Sequence, residues 1–273
     1  MLGESMKKIC LYLFSGTGMT EHVVNKLISE LANNLISIDC FKIDKTDTKT
    51  ISLSGYDAVG IAYPVHSFNA PKIVIDFVKH LPLTNGLNTF VIFTAGEEHI
   101  INSSSSDLLI KKLSRKGYQI FYNKLVEMPS NFIVKYEEER VNRILDKLDE
   151  DIPQIAMDIV TVKPYFEKKN FGSKISTFIG HSEKFGAPII GKFFYPKKDC
   201  INCEKCVDNC PKENITRSEK SIRFNWRCCI CMRCIYQCPE NAISVRQPFK
   251  FIRFDEWYNP EMFSSRKDGN DFE

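Results

Sequence analysis

Eight cysteines between residues 200 and 238 constrain this chain more than any other feature. Cys200, Cys203, Cys206 and Cys210 repeat their spacing at Cys228, Cys231, Cys234 and Cys238, and Pro211 and Pro239 follow the two runs. Each run reads C-x2-C-x2-C-x3-C-P. Three cysteines at that spacing lie on one tight loop and can hold three irons of a single 4Fe-4S cube. Zinc and disulfides are the competing chemistries. A zinc site needs only four ligands, so eight thiolates could in principle hold two ions. The third cysteine of each run and the trailing prolines have no role in a two-plus-two ribbon, however. Clustered thiolates in a reducing compartment mean metal ligation rather than disulfide bonding. Cys229 is out of register and cannot replace Cys228 without breaking the spacing, while Cys10 and Cys40 lie in apolar strand patterns and read as small core residues.

The cysteine stretch resembles a bacterial-type ferredoxin domain. In two-cluster ferredoxins the fourth cysteine of each run crosses over. The resemblance therefore implies one cluster on Cys200, Cys203, Cys206 and Cys238, and the other on Cys228, Cys231, Cys234 and Cys210.

The 273 residues leave room for one ordinary domain beside this small one. Hydrophobic content of 43% and charged content of 26% are those of a soluble globular protein. No apolar run approaches the roughly 20 residues that span a bilayer, so no membrane contact is expected. The lysines near the N-terminus precede a short apolar run that reads as a strand, with no small-residue cleavage site after it. The expected location is cytoplasmic. A net charge of +3 makes no case for nucleic acid.

Residues 8–14 (KICLYLF) form a nearly continuous apolar run, the pattern of a strand covered on both faces. Apolar residues at Val23, Val24, Leu27, Ile28 and Leu31 then mark one helical face. The loop between them is Ser15, Gly16, Thr17, Gly18, Met19, Thr20. It gathers backbone amides at the positive end of a helix dipole, which suits a phosphate. The chain has no G-x-x-x-x-G-K-[ST], and the dinucleotide pattern G-x-G-x-x-G fails at Glu21. A monophosphate fits best.

At this point the chain resembles a flavodoxin, whose FMN phosphate loop follows Ser/Thr-x-Thr-Gly-x-Thr, matched by Ser15, Thr17, Gly18 and Thr20. Strand-like runs at 35–43, 58–63, 89–94 and 118–126 alternate with helical patterns at 70–80 and 105–116. Five strands then match an α/β, flavodoxin-like, doubly wound parallel sheet of order 2-1-3-4-5, with a small α+β ferredoxin domain on its C-terminal side. In flavodoxins the loops after strands 3 and 4 flank the flavin ring. The resemblance places Pro64, Val65, His66, Ser67, Phe68 and Asn69 in the first ring loop, with His66 or Phe68 stacking on the ring. Thr94, Ala95, Gly96 and Glu97 form the second. Asn69 is the expected positive-φ residue.

The pattern Val141, Ile144, Leu145, Leu148 marks a closing helix, which Pro153 is expected to end or bend. The expected domains are a flavodoxin-like FMN-binding unit at 1–160, a basic aromatic-rich connector at 161–195, the ferredoxin domain at 196–246 and a tail at 247–273. From Lys163 to Lys198, eight lysines face two glutamates among many aromatics, either a solvated surface or a docking face for an acidic redox partner.

Together the two resemblances point to the flavodoxin-ferredoxin fusion proteins of anaerobic bacteria and archaea. Little about activity carries over from that likeness, but FMN takes two electrons and can hold one while each cube passes one at a time, so the first reading is an electron carrier with two 4Fe-4S clusters and FMN, redox protein partners, and no catalytic residue of its own. The other readings are an FMN reductase of a small molecule, with His66, Tyr63 or His99 as proton donor, and a cluster-based sensor. Whether two copies pair as a homodimer is left open.

Overall fold

The structure, a computed structural model, describes residues 6–96, 99–130, 136–169, 172–174, 183–218 and 221–249, with the backbone alone at 99–100 and 183–185. It divides into two compact units. One takes in the described residues of Met1–Ser15, Thr20–Met128 and Glu137–His181; the other takes in those of Gly16–Met19, Pro129–Tyr136 and Ser182–Glu273.

The first unit is built on a parallel sheet. Its elements run β1 (Lys8–Leu13), α1 (Met19–Asn33), β2 (Ser37–Lys42), β3 (Ala58–Pro64), α2 (Lys72–His80), β4 (Leu87–Ala95), α3 (His99–Asn102), α4 (Asp107–Ser114), β5 (Tyr118–Glu127), α5 (Glu138–Val160) and β6 (Tyr165–Phe166). The strand order is β2-β1-β3-β4-β5-β6, every pair parallel. This is the doubly wound α/β architecture that the alternating pattern predicts, with one strand more.

The apolar runs explain the order. β1 and β3 bury nearly every residue because helices cover both sheet faces, whereas β2 lies at an edge and leaves most of its residues partly or fully open. The helices turn one stripe inward: Val23, Val24, Leu27 and Leu31 on α1, and Ile73, Val74, Phe77 and Val78 on α2. α5 continues through Pro153 to Val160 rather than ending there. It gives up one amide donor but keeps Ile152, Ile155, Ala156 and Ile159 on its buried stripe.

The expected five strands are thus corrected to six. β6 comes from the stretch read as a connector, pairing Tyr122 with Tyr165 and Asn123 with Phe166. The Glu167 amide donates to the Asn123 carbonyl at 3.0 Å, and its buried carboxylate accepts from the Leu125 amide at 3.2 Å. A strand of two residues has no periodicity to read.

The second unit is an internal repeat. It contains α6 (Glu183–Lys192), β7 (Phe194–Pro196), α7 (Lys205–Asp208), β8 (Ile215–Ser218), β9 (Ser221–Phe224), α8 (Arg233–Tyr236) and β10 (Ile243–Val245). β7 pairs antiparallel with β10, and β8 with β9. A shift of 28 residues, the step from Cys200 to Cys228, carries α7 onto α8 and Ile215↔Phe224 onto Ile243↔Pro196. The two sheets share one core of Phe194, Ile215, Ile222, Phe224, Met232, Ile235, Ile243 and Val245.

Candidate functional site

Two places carry chemistry, and each is built by its own local geometry. In the second unit the eight cysteines fall into two sets. Cys200, Cys203, Cys206 and Cys238 line one cavity together with Ile201, Ile222 and Ile243. The electrostatics group them the same way. Burial pushes the Cys206 thiol up to about 11, and Cys200, Cys238 and Cys203 add to the rise. Burial raises Cys228 to about 12, with Cys231 and Cys210 adding to it. Cys234 is raised well above the ordinary thiol value by burial, then by Cys231, Cys228 and Cys210, with Cys206 last. Cys210 and Cys238 have therefore exchanged sides relative to their own runs. Among the described residues no three metal-ligating side chains converge closely enough to hold a single ion.

Local backbone geometry brings each set round its loop. Asn202 and Ile230 have φ of 54° and 47°, Glu204 and Met232 have 62° and 63°, and Glu213 and Asn241 both have 46°. Each pair is again 28 residues apart. A left-handed φ costs a non-glycine residue roughly 1–2 kcal/mol, so six such residues in matched pairs are strain held by the surrounding structure. The loops also turn amides toward sulfur: Asn214 donates to Cys210 Sγ and Ala242 to Cys238 Sγ, both at 3.2 Å, and Ile230 donates to Cys228 Sγ at 3.3 Å. Amide hydrogen bonds to sulfur and burial are the levers by which a protein sets an iron-sulfur potential.

Burial, with the neighbouring thiols, favours the protonated forms of Cys206, Cys228 and Cys234, so a strongly cationic centre among them would be needed to stabilise their thiolates. Cys229 stands apart. Its thiol hydrogen-bonds with Cys231, the chief reason its pKa lies well above the ordinary value, with burial next.

Spacing could not flag Gly191 on α6. A Cβ there would lie 2.0 Å from Cys228 Cβ and 2.5 Å from its Sγ, so only glycine lets the helix lie against this cysteine. It sits in a segment without a period, where one glycine among several carries no signal.

In the first unit, the loops after β3 and β4 meet beyond the carboxyl ends of the strands, where doubly wound sheets bind ligands. Val65 donates to the Thr94 carbonyl at 2.7 Å, and Met128 donates to the Ala95 carbonyl at 2.9 Å. Thr20 and Thr94 join their hydroxyls at 2.8 Å, both buried, which ties the start of α1 to the end of β4. Ser15, also buried, accepts from the Glu21 amide at 3.4 Å. Gly18 has a φ of 96°, a conformation that only glycine adopts without strain. Met19 opens α1 and is buried. Gly16, Thr17 and Gly18 fall with the second unit, and Ser15 and Thr20 with the first.

The loop after β3 is a tight reversal. His66 and Asn69 exchange two backbone hydrogen bonds of 2.9 Å, and the residues between them, Ser67 and Phe68, have φ of 43° and 62°. Two left-handed central residues are the signature of a type I′ turn. The expectation for Asn69 is corrected: the positive φ falls on Ser67 and Phe68, while Asn69 is buried and its Nδ2 donates to the Ser67 carbonyl at 3.3 Å. Phe68 is half-buried at the tip rather than packed in the core, and His66 sets its ring edge-on to Phe14 with centroids 6.3 Å apart. The Ala70 amide donates to the Ser105 carbonyl at 3.1 Å. Pro64 and Val65 are half-buried, as are Ala95 and Gly96. Glu97 and the His99 side chain lie outside the described residues. Tyr63 is fully enclosed, and burial holds its phenol far above the ordinary value.

No known family's profile matches the chain, and no curated protein does. Solved structures with which it aligns include a flavodoxin from the domain Archaea, at 14% identity and a TM-score of 0.35, covering 56% of this chain and 99% of that one. Flavodoxin 2 from Bacillus cereus aligns at 16% identity and a TM-score of 0.41, covering 55% and 95%. The general stress protein 14 from Treponema denticola, in complex with FMN, aligns at 9% identity and a TM-score of 0.41, covering 56% and 99%.

Proposed function

We propose that this protein transfers electrons between two 4Fe-4S clusters, an FMN and external redox proteins. The observation that carries the reading is the exchange of Cys210 and Cys238 between two sets of four thiols. Two zinc ribbons would give the third cysteine of each run no role, and a disulfide framework would pair the thiols rather than gather them in fours. Cys200, Cys203, Cys206 and Cys238 would hold one cube, and Cys228, Cys231, Cys234 and Cys210 the other. The matched left-handed residues and the amides aimed at Cys210, Cys238 and Cys228 fit that role.

FMN would be held in the first unit. The Ser15 and Thr20 hydroxyls and the α1 N-terminus would take the phosphate. The Ser67–Phe68 turn and Thr94 to Gly96 would flank the ring. When bound, the clusters supply one-electron steps and the flavin both one- and two-electron steps. The chain's own residues position these groups. The reductase reading loses one donor, because the enclosed Tyr63 phenol cannot meet a substrate.

The test is anaerobic reconstitution with iron, sulfide and FMN, followed by stepwise dithionite reduction. About eight irons and one flavin per chain, with flavin and cluster bands bleaching together, is the expected result. Full cluster loading with no bound flavin would refute the relay.

A further inference from the structure

We infer that the two cysteine sets are not equivalent, and that electrons enter and leave the protein through the Cys200 set, the Cys228 set being the less exposed of the two. The inference rests on the proposed function and adds to it the centre at which external carriers exchange electrons. The repeat makes the comparison direct, because every residue of one set has a partner 28 positions away in the other. Cys203 is exposed, whereas its counterpart Cys231 is half-buried. Ile201 stands 61% exposed at the mouth of the first cavity, where the second set has the half-buried Cys229. Asn202 is exposed against a half-buried Ile230, and Glu204 is half-buried against Met232 at 4%.

α6 packs against Cys228. Gly191 brings the helix so near Cys228 that not even a Cβ fits between them. Lys192 anchors the end of α6 by donating to the Phe224 carbonyl at 2.8 Å, and its ammonium lies 5.8 Å from the Trp226 ring centre. Electron transfer falls steeply with distance, so an external one-electron carrier exchanges with the centre it can approach. At the first set the exposed residues Ile201, Asn202 and Cys203 line the cavity that holds the thiols.

The test uses the full chain, reconstituted and oxidised. Proton NMR resolves the shifted β-methylene signals of the ligand cysteines, which Cys203→Ser and Cys231→Ser assign to their sets. A neutral gadolinium chelate is then titrated in. Severalfold stronger relaxation of the Cys200-set signals is the expected outcome. Equal relaxation of both sets, or stronger relaxation of the Cys228 set, would overturn the inference and leave the proposed function intact. Absence of any shifted signal from a fully reconstituted chain would overturn both.

Discussion

Replacing Gly191 by alanine adds one methyl group where the structure has no room for it. The new Cβ would lie 2.0 Å from Cys228 Cβ and 2.5 Å from Sγ. Ordinary carbon contacts begin near about 3.5 Å, so α6 or the Cys228 loop must move by about 1.5 Å. Metal–thiolate distances tolerate shifts of only about 0.2 Å. Forced overpacking of this kind costs about 1–3 kcal/mol, which is roughly a 5- to 150-fold loss of occupancy. Gly186, on the same helix, meets nothing within 4 Å and serves as the control. Gly186→Ala should gain about 0.5–1 kcal/mol of helix stability and reconstitute fully. Gly191→Ala should fall from about eight to about four irons per chain, with the Cys200-set signals unchanged. A Gly191→Ala protein with full iron and wild-type melting would refute the packing argument.

Three further outcomes are expected. Cys210→Ala should remove the same cluster signal as Cys234→Ala, and Cys238→Ala the same as Cys206→Ala; loss that follows the runs instead would show that the fourth cysteines do not cross. In the sheet, a Cβ on Gly60 would come within 2.3 Å of Phe90 and 2.4 Å of Leu11, so Gly60→Ala should cost about 1–3 kcal/mol in denaturant melts, independent of any cofactor. The hydrogen bond from Tyr56 to Asp39, 2.7 Å long, and then that from Lys8 hold the Asp39 carboxyl below its usual value. Its stabilising contribution is complete above the unfolded carboxylate pKa and lost as pH falls through the lower folded value. Tyr56→Phe should raise the Asp39 titration seen by carbon-13 NMR, and an unchanged midpoint would contradict that cause.

Much of the first unit is legible in the chain because period and burial coincide there. Every expected strand from 8–14 to 118–126 appears within about two residues of its reading, since central parallel strands demand continuous apolar runs. The turn after β3 was legible as a loop but not in its detail. Asn is the usual left-handed residue, yet Ser67 and Phe68 take that conformation because the His66 and Asn69 backbone bonds close around them.

The sequence alone determined what the cysteines can be. Spacing along a chain is a local property, and three thiols within seven residues cannot avoid sharing a loop. The 28-residue repeat, the phosphate-type loop and the α/β alternation are local in the same sense. Tertiary structure alone decided which fourth cysteine joins which triplet here, that β6 completes the sheet, and that α6 packs against Cys228. Each of these depends on contact between residues far apart in the chain, where no period records the meeting, and the last rests on the hydrogen atom that is the whole side chain of Gly191.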